Sequence, residues 1–306
     1  MNFAEKLKTL RKEKGISQET FAEKINVSRQ AITKWESGTG LPDIENLIAI
    51  SSLFNESLDS LLCEEKSIIS RNEFLYESRT AYDLDGLKKI DLQIGTARCL
   101  TIERTKEEKL QVILDSNKIN ELASLVKVKI EENRSFMDVS VNRSGILSDT
   151  KAMENLFVLV RIPENFVPDA EISGNFESLI IRDISFENFE FGGKLKKLCV
   201  TNASGHLEVD TNSNLEAEIR DAKGKIDLNQ IKACSKVSFP GCENYRDYCA
   251  LKNAGRFTRF VDGEGQIIRN ETGKRRGKNK SGEAVEEKLL TLELNGWKTE
   301  VQIIEN

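Results

Sequence analysis

Residues 17 to 38, SQETFAEKINVSRQAITKWESG, limit the fold of this chain more than any other segment. Apolar residues recur there at the three- and four-residue spacing that gives a helix one buried face. The first stripe consists of Phe21, Ala22 and Ile25, and the second of Ala31, Ile32 and Trp35. Ser17 and Ser28 stand where N-cap residues belong, and Gly38 stands where a helix stops. The pattern therefore predicts two short helices joined by a turn at Asn26.

The second predicted helix leaves polar residues on its outer face. Arg29, Gln30 and Lys34 lie there, away from the apolar stripe. Arginine and glutamine at the front of an exposed helix can form paired hydrogen bonds to guanine and adenine edges in the major groove of DNA. A polar face on a single helix is more often simply exposed to solvent. The neighbouring sequence is therefore needed to distinguish a DNA-binding face from a solvated one.

Residues 3 to 62 contain, in order, the segments LKTLRKEKG, SQETFAEKI, VSRQAITKWESG, DIENLIAISSLF and SLDSLL. Together these segments resemble the lambda-repressor-like helix-turn-helix transcriptional regulators of the xenobiotic-response-element type. The resemblance implies a bundle of five helices over residues 1–62 that binds double-stranded DNA. It also implies that Arg11 and Glu36 form a partly buried ion pair with a structural role.

The same resemblance implies a DNA-binding site of seven polar residues. These residues are Gln18, Ser28, Arg29, Gln30, Thr33, Lys34 and Ser37. Gln18 is expected to contact a phosphate, and Arg29, Gln30 and Lys34 are expected to face bases. The three hydroxyl residues are expected to lie near the DNA backbone. No catalytic, cofactor-binding or metal-binding residue is expected beside them.

Net charge supports this interpretation only in part. Residues 1 to 62 contain eight lysine or arginine residues and nine aspartate or glutamate residues. Attraction to phosphate must therefore come from clustering on one face. A small module with few phosphate contacts needs a second copy, because linking two half-sites makes the second binding event intramolecular. We therefore expect a homo-oligomer, a dimer or larger, on a DNA operator.

The whole chain has 306 residues and a formal net charge of −5, which leaves room for a much larger second domain. Neither a long apolar run for a membrane span nor a signal-peptide core is found, so a cytoplasmic protein without membrane contact is expected. Six cysteines without a CxxC pair agree with reduced thiols. Cys234, Cys242 and Cys249, with His206, match no zinc spacing, so no metal or cofactor is expected.

From Leu87 onward, apolar residues alternate with polar ones. This period predicts half-buried strands in LKKIDLQIG, RCLTIER, KLQVILD, LVKVKIE, FMDVSVN and LFVLVRIPENF. Residues 63–80 show no clear periodicity and are interpreted as a linker. The second domain is therefore expected to cover residues 81–306.

The second domain contains a repeat of nineteen residues. Leu198, Val200, Ala203, Gly205, Leu207 and Val209 recur as Ala217, Ile219, Ala222, Gly224, Ile226 and Leu228. Such a period with short strands is typical of a β-solenoid, in which each coil buries its apolar residues by stacking on the next. The expected fold class is α + β and multidomain: a five-helix helix-turn-helix bundle followed by a mainly-β, solenoid-like repeat domain.

Residues 80 to 240 also resemble the putative-adhesin family of β-strand repeats, through the predicted strands, the VRIPENF junction and the coils ASGHLEV and AKGKIDL. The resemblance implies a fold, and we transfer neither an adhesive role nor catalytic residues from it. After Gly241 we expect loops in YRDYCALKNAGRFTRFV. TLELNGWKTEVQII is expected to form a hairpin with an Asn295-Gly296 turn that closes one end of the solenoid.

Three smaller features are given structural interpretations. GEG at residues 263–265 lacks the third glycine and the flanking elements of a dinucleotide site, so a turn is expected. RNETGKRRGKNK, residues 269–280, has six basic residues and is interpreted as a solvated loop, with nonspecific phosphate contact as the alternative. His206 is expected to lie in a turn of the solenoid.

The sequence therefore predicts a sequence-specific transcriptional regulator, with repression as the expected sign. Its β domain is expected to sense a signal, to assemble the oligomer, or to do both, with a protein or peptide effector as a candidate partner. The alternative is the autoregulatory component of a defence or toxin-antitoxin pair, whose β domain binds a partner protein. An enzyme is not expected, because no nucleophile with a base and no paired catalytic carboxylates can be identified.

Overall fold

The computed structural model describes residues 3–54, 74–84, 86, 89–134, 136–164, 166, 169–242, 244–268 and 289–304. The chain divides into two compact units, Met1–Glu73 and Phe74–Asn306, which we call the helical unit and the β unit. The described helices are α1 (Phe3–Glu13), α2 (Gln18–Lys24), α3 (Arg29–Glu36), α4 (Ile44–Phe54), α5 (Leu122–Leu125), α6 (Asp149–Asn155) and α7 (Tyr245–Tyr248). None of these helices is long and apolar enough to cross a membrane.

The helical unit packs its first four helices around one small core. Its fully buried side chains are Leu7, Phe21, Ile32 and Ile50. The predicted turn between α2 and α3 is found, and Asn26 makes it with a left-handed φ of 57°. Gly38, just after α3, has a φ of 73°, as expected for the residue that ends a helix. The fifth predicted helix, SLDSLL, lies outside the described residues.

The β unit contains one sheet of fifteen strands in the part of the chain that is described. The strands are β1 (Tyr76–Asp83), β2 (Lys89–Thr105), β3 (Lys109–Ser116), β4 (Val126–Glu132), β5 (Phe136–Arg143), β6 (Phe157–Pro163), β7 (Asp169–Asp210), β8 (Glu216–Arg220), β9 (Lys223–Ile231), β10 (Cys234–Ser238), β11 (Cys249–Asn253), β12 (Arg259–Val261), β13 (Ile267–Ile268), β14 (Leu290–Trp297) and β15 (Glu300–Ile304). The longest path through the sheet runs in the order β1-β3-β6-β2-β7-β8-β10-β15-β12-β13.

The nineteen-residue repeat determines the strand pairing. β7 pairs in parallel with β8 and then with β9, and Leu198 faces Ala217 while Leu207 faces Ile226. The chain bends at the same position of each repeat, where Asp183, Asn202 and Asp221 have left-handed φ values of 54°, 48° and 51°. Each nineteen-residue repeat thus stacks its apolar residues on those of the preceding repeat, and these residues form one continuous core.

The predicted C-terminal hairpin is wrong. β14 and β15 do not pair with each other: β14 lies between β9 and β11, and β15 lies between β10 and β12, all in parallel. Asn295 and Gly296 are inside β14, and the bend is made by Lys298, which has a φ of 53°. The two strands do not form a hairpin because each pairs with an earlier strand instead. Leu290 faces Gly224 and Glu300 faces Cys234, so the segment adds parallel strands to the sheet.

Three other expectations for the β unit change. CALKN, expected in a loop, is strand β11, because it can pair with β14. The first strand begins at Tyr76, inside the predicted linker 63–80. Its half-buried residues are Tyr, Ser, Thr and Tyr, so its alternation carries little apolar signal. His206 lies within β7 opposite Lys225 and is not in a turn.

Candidate nucleic-acid interface

Helix α3 is fixed by its N-cap and by its buried face. The side chain of Ser28 accepts a hydrogen bond from the backbone N–H of Ala31 at 3.2 Å, which satisfies one of the free N–H groups at the helix start. On the inner face, Ile32 is fully buried and Trp35 is 7% exposed. These contacts leave the opposite face of α3 without a role in the core.

Most of the predicted DNA-binding residues lie on this outer face. The exposed ones are Ser28, Arg29, Gln30, Thr33, Lys34 and Ser37. In the described part of the chain, the side chains of Gln30 and Lys34 make no ion pair or hydrogen bond. Arg29 lies 3.7 Å from Glu19, but both side chains are about two-thirds exposed, so this pair holds the guanidinium weakly. All three side chains are available to a ligand.

Gln18 differs from the other six residues because its side chain is half-buried. Its Nε2 donates to Glu36 at 2.8 Å, and Thr33 lies 3.5 Å from its Oε1. Glu36 in turn accepts two hydrogen bonds from Arg11, at 2.6 and 3.0 Å, which confirms the predicted partly buried ion pair. Gln18 therefore links α2 to α3 and to this ion pair, a role that the sequence reasoning missed.

The network holds Glu36 in its charged form. Its side chain is only 3% exposed, and burial alone would raise its pKa. Hydrogen bonds from Arg11 and Gln18 and the charge of Arg11 outweigh burial, so the pKa of Glu36 is lowered. The hydrogen bond to Glu36 raises the pKa of Arg11. The ion pair is therefore charged at neutral pH and fixes α3 against α1.

The hydroxyl groups on α3 already have local partners. Thr33 Oγ1 donates to the carbonyl of Arg29 at 3.0 Å, and Ser37 Oγ donates to the carbonyl of Lys34 at 3.1 Å. Each hydroxyl oxygen can still accept a further hydrogen bond, whereas a phosphate needs a donor. These hydroxyls would have to rotate away from the helix carbonyls to contact a phosphate.

Comparisons with known proteins agree with this geometry. A family model described as helix-turn-helix matches residues 7–61. The HTH-type transcriptional activator BcrR of Enterococcus faecalis is 50% identical over 68 residues, which are 22% of this chain and 33% of that protein. The chain thus matches about a third of that relative's length. The uncharacterized HTH-type transcriptional regulator YqaE of Bacillus subtilis is 32% identical over 117 residues, which are 35% of this chain and 99% of that protein.

The chain belongs to the HTH-type transcriptional regulators. In this regulator the matched segment contains α2 and α3 and all seven predicted DNA-binding residues. The predicted resemblance of the helical unit to helix-turn-helix regulators of transcription is therefore confirmed.

The β unit of the regulator has a more distant likeness. A putative cell adhesion protein from Clostridium sporogenes has 12% sequence identity and a TM-score of 0.37, and the match covers 76% of this chain and 99% of that chain. At this level of likeness, no function is inferred from it.

The described structure does not bring Cys234, Cys242, Cys249 and His206 together as a metal site. No group of three or more His, Cys, Asp or Glu side chains among the described residues could hold a metal ion. His206 instead contacts Asp227 Oδ2 at 2.7 Å and Asn188 Oδ1 at 3.3 Å. Cys249 is buried and Cys234 is exposed. Cys63 and the basic segment 269–280 lie outside the described residues.

Proposed function

We propose that α3 is the recognition helix of a sequence-specific regulator. The observation that carries the proposal is its two-sided construction: Ile32 and Trp35 fix one face in the core, while Arg29, Gln30 and Lys34 are exposed on the other. Arg29 and Gln30 stand at the front of the helix, where bidentate contacts to guanine and adenine edges are made. Lys34 contacts a base or the adjacent phosphate.

Two of the other four predicted residues position this helix. Ser28 caps α3, and Gln18 holds the ion pair that joins α3 to α1. Thr33 and Ser37 lie beside them and contact the DNA backbone after their hydroxyls rotate. Gln18 reaches a phosphate only if its amide leaves Glu36, so its main contribution is to orient α3.

A single helical unit is expected to bind weakly, because its net charge does not favour DNA. We therefore propose that the β unit, a solenoid-like stack, assembles two or more copies in the cytoplasm and responds to an effector. The parallel register at nineteen residues supports the stack. Residues 1–62 are the proposed DNA-binding domain, and the linker is shorter than 63–80 because β1 begins at Tyr76.

We propose that the protein represses transcription, because an oligomer bound over a promoter blocks it without contacting the transcription machinery. Activation requires an additional surface for the transcription machinery. BcrR, which resembles the helical unit, is named an activator, so the sign has to be measured. A reporter gene behind the bound site gives it directly: deletion of the regulator raises expression under repression and lowers it under activation.

Selection of DNA from a random library by the full-length protein tests the proposal as a whole. An enriched motif with two related half-sites is expected, bound far more weakly by residues 1–73 alone than by the full chain. A full-length monomer that binds no tighter than this fragment contradicts the assembly role. Absence of any enriched motif contradicts specific recognition by α3.

A further inference from the structure

Three stacked bends of the β unit form one corner, which we name the C-terminal corner. Lys232, Lys298 and Phe257 occupy equivalent positions in these bends, with left-handed φ values of 55°, 53° and 56°. The backbone N–H of Lys232 donates to the carbonyl of Trp297 at 2.9 Å, and that of Lys298 donates to the carbonyl of Arg256 at 3.1 Å. The corner consists of residues 231–234, 297–300 and 256–259.

The residue types at these bends do not suit the backbone. A left-handed φ is tolerated best by glycine, asparagine and aspartate. Asp183, Asn202 and Asp221 accordingly occupy the bends of the nineteen-residue repeat described above. Lysine and phenylalanine have no such advantage, and a bulky residue with a positive φ is an outlier. Backbone geometry therefore does not account for the side chains of the C-terminal corner.

Apolar side chains at this corner are exposed to solvent. Phe257 is 78% exposed, and Ile267, in the neighbouring strand β13, is 64% exposed. Ile231 is 50% exposed and Trp297 is 39% exposed. Exposed apolar side chains that cluster among polar groups are typical of a binding surface.

A groove of about 750 Å³ opens at the same corner. Its apolar lining comes from Ala233, Phe257, Ile267 and Ile268. Small-molecule sites usually have volumes of about 300 to 1,000 Å³ and a mainly apolar lining with a few polar groups. The groove therefore has the size and the lining of a site for one small molecule.

The charges around the groove favour an anion. Three charged residues line it, and two of them, Arg259 and Glu300, form an ion pair at 2.6 Å. The third, Lys298, has no carboxylate partner among the described residues. Lys232 and Arg256, at the same corner, also form no ion pair within the part of the chain that is described. A bound anionic group would give Lys298 a charged hydrogen-bond partner.

We propose that this groove binds one molecule of an amphipathic anion, with its apolar part against Phe257 and Ile267 and its anionic group at Lys298. The proposal rests on the proposed regulatory function and names the chemical class of the effector of the β unit. A carboxylate, sulfonate or phosphate group accepts a charge-assisted hydrogen bond from the ammonium group. A neutral molecule with the same apolar part lacks this bond, and a cationic one is repelled by Lys298.

Displacement of dansylated undecanoic acid, a fluorescent amphipathic anion, from the full-length protein tests this proposal. The competitors are decanoate, decanol and decylamine, which share one chain length and differ in charge. Each is used below the concentration at which it forms micelles. We expect decanoate to compete at a concentration about tenfold lower than decanol, and decylamine to compete least.

Two variants separate the charge from the apolar lining. Lys298→Gln should weaken decanoate binding by about tenfold and change decanol binding by less than about twofold, because only the anion uses the ammonium group. Ile267→Ser should weaken both by about threefold or more, because it removes apolar contact area.

Lys118→Gln and Ile146→Ser are the matched controls. They make the same changes at exposed positions outside the groove, and Ile146 is 78% exposed. Each should change the binding of decanoate and of decanol by less than about twofold. Equal weakening of decanoate by Lys298→Gln and Lys118→Gln would show a response to net charge only and would overturn the proposal, as would equal competition by decanoate and decylamine.

Other occupants of the groove give different results. If the protein pelleted with phosphatidylglycerol vesicles while decanoate did not displace the probe, a membrane surface and not a dissolved molecule would contact the corner. If Ile267→Ser dissociated the oligomer in light scattering, a second copy of the chain would cover the groove. Either result would overturn the proposal.

Melting temperatures separate folding from this result. Lys298→Gln and Ile267→Ser change exposed side chains, so both variants should melt with the wild type. If Ile267→Ser melts earlier, Phe257→Ser replaces it in the same assay.

Titrations on the DNA motif selected by the full-length protein test the effector role. Without ligand, Lys298→Gln should bind the motif like the wild type, and weaker binding would show that the corner contacts DNA itself and would overturn the proposal. Decanoate should change the affinity of the wild type by about threefold or more and leave that of Lys298→Gln unchanged. An unchanged wild-type affinity would contradict the effector role. Failure to bind any DNA motif counts against the proposed function, whereas failure of decanoate to displace the probe counts against the groove.

Discussion

The two units of the chain build their cores over different sequence distances. In the helical unit, a buried residue such as Ile32 shares its stripe with neighbours three or four positions away. In the β unit, Leu207 packs in register with Ile226 nineteen positions later, and Gly224 faces Leu290 sixty-six positions later. Local periodicity therefore identifies the buried and the exposed face of each helix in the helical unit. In the β unit it identifies the outer face but not which strands are neighbours.

The largest loss of stability is expected where the backbones of successive nineteen-residue repeats are in contact. A Cβ added to Gly224, which has a φ of 107°, would lie 2.2 Å from the carbonyl oxygen of Gly205. Gly224→Val should therefore destabilise the β unit by more than about 4 kcal/mol or prevent its folding, while the helical unit still folds. The chain has two tryptophans, Trp35 in the helical unit and Trp297 in the β unit, so single-tryptophan variants report each unit separately in urea.

Gly145→Ala is the control for this substitution, because a Cβ added there meets no atom within 4 Å. It should leave both transitions within about 0.5 kcal/mol of the wild type. If Gly224→Val shifted both transitions equally, the two units would unfold together, and the contrast between them would not extend to stability.

The second prediction compares the two tryptophans. Trp35 is 7% exposed behind the recognition face, whereas Trp297 is 39% exposed and has the Lys298 ammonium 4.6 Å from its ring centroid. Trp35→Ala should destabilise the helical unit by about 3 to 5 kcal/mol, because it empties the core under α3. Trp297→Ala should cost about 1 kcal/mol or less.

Far-UV circular dichroism during thermal unfolding follows the loss of helix at 222 nm for Trp35→Ala and the loss of strand for Trp297→Ala. A Trp35→Ala protein as stable as the Trp297→Ala protein would mean that α3 is not fixed by its inner face. The outer face of α3 would then not be held in a fixed position for DNA.

More of the helical unit than of the β unit could be predicted from the sequence. Caps, the Asn26 turn and the polar face of α3 follow from neighbouring residues, and all are found. The strands of residues 89 to 163 and the nineteen-residue register were also predictable. The insertion of β14 between β9 and β11, and of β15 between β10 and β12, was not, because a parallel pair carries no signal of its partner's position and an Asn-Gly dipeptide also occurs within a strand.

The candidate site shows one further limit. The family resemblance predicts a phosphate contact for Gln18, which stands at the start of α2. In the protein alone its amide donates to Glu36, eighteen positions away on another helix, and the sequence pattern does not predict this contact. A polar residue near a helix start has several partners in three dimensions, and periodicity gives no means of choosing among them. The structural role of Glu36 was predictable only through the family resemblance, which implies a partly buried ion pair between Arg11 and Glu36.

The third prediction concerns the recognition face itself. Arg29→Ala and Gln30→Ala should each cost about 1 to 3 kcal/mol of specific DNA binding and relax the preference at one base position. Neither should lower the melting temperature, since both side chains are exposed. Titrations on the selected motif and on base-substituted motifs give both quantities, and unchanged affinity in both variants contradicts the assignment of α3.

Two neighbouring substitutions sharpen this test. Arg29→Lys keeps the charge and removes the bidentate geometry, so it should lose base preference while keeping nonspecific affinity. Glu19→Gln removes the carboxylate 3.7 Å from Arg29 and should improve binding slightly to all sequences. If Arg29→Lys behaved like the wild type, Arg29 would contact phosphate only.

The smallest effects, and the last prediction, concern pH, where one carboxylate in each unit should act with opposite sign. The pKa of Glu36 is lowered from its ordinary value of 4.5, so its contribution to stability is present above pH 4.5 and is lost as the pH falls through the folded pKa. Burial and neighbouring carboxylates raise the pKa of Glu190 above 4.5. Its contribution is therefore present below pH 4.5 and is lost as the pH rises through the folded pKa.

Urea unfolding between pH 3 and 7, followed through Trp35 and Trp297 separately, measures these two slopes. Glu36→Gln should lower the stability of the helical unit at pH 7, because it leaves the Arg11 guanidinium without a charged partner, and should flatten the loss of stability in acid. Glu190→Gln should instead raise the stability of the β unit most at neutral pH, where the neighbouring carboxylates of Glu171, Glu208 and Asp210 are charged. If the β unit of Glu190→Gln were less stable than that of the wild type at neutral pH, an attractive contact would hold the Glu190 carboxylate. Repulsion from its carboxylate neighbours would then not dominate.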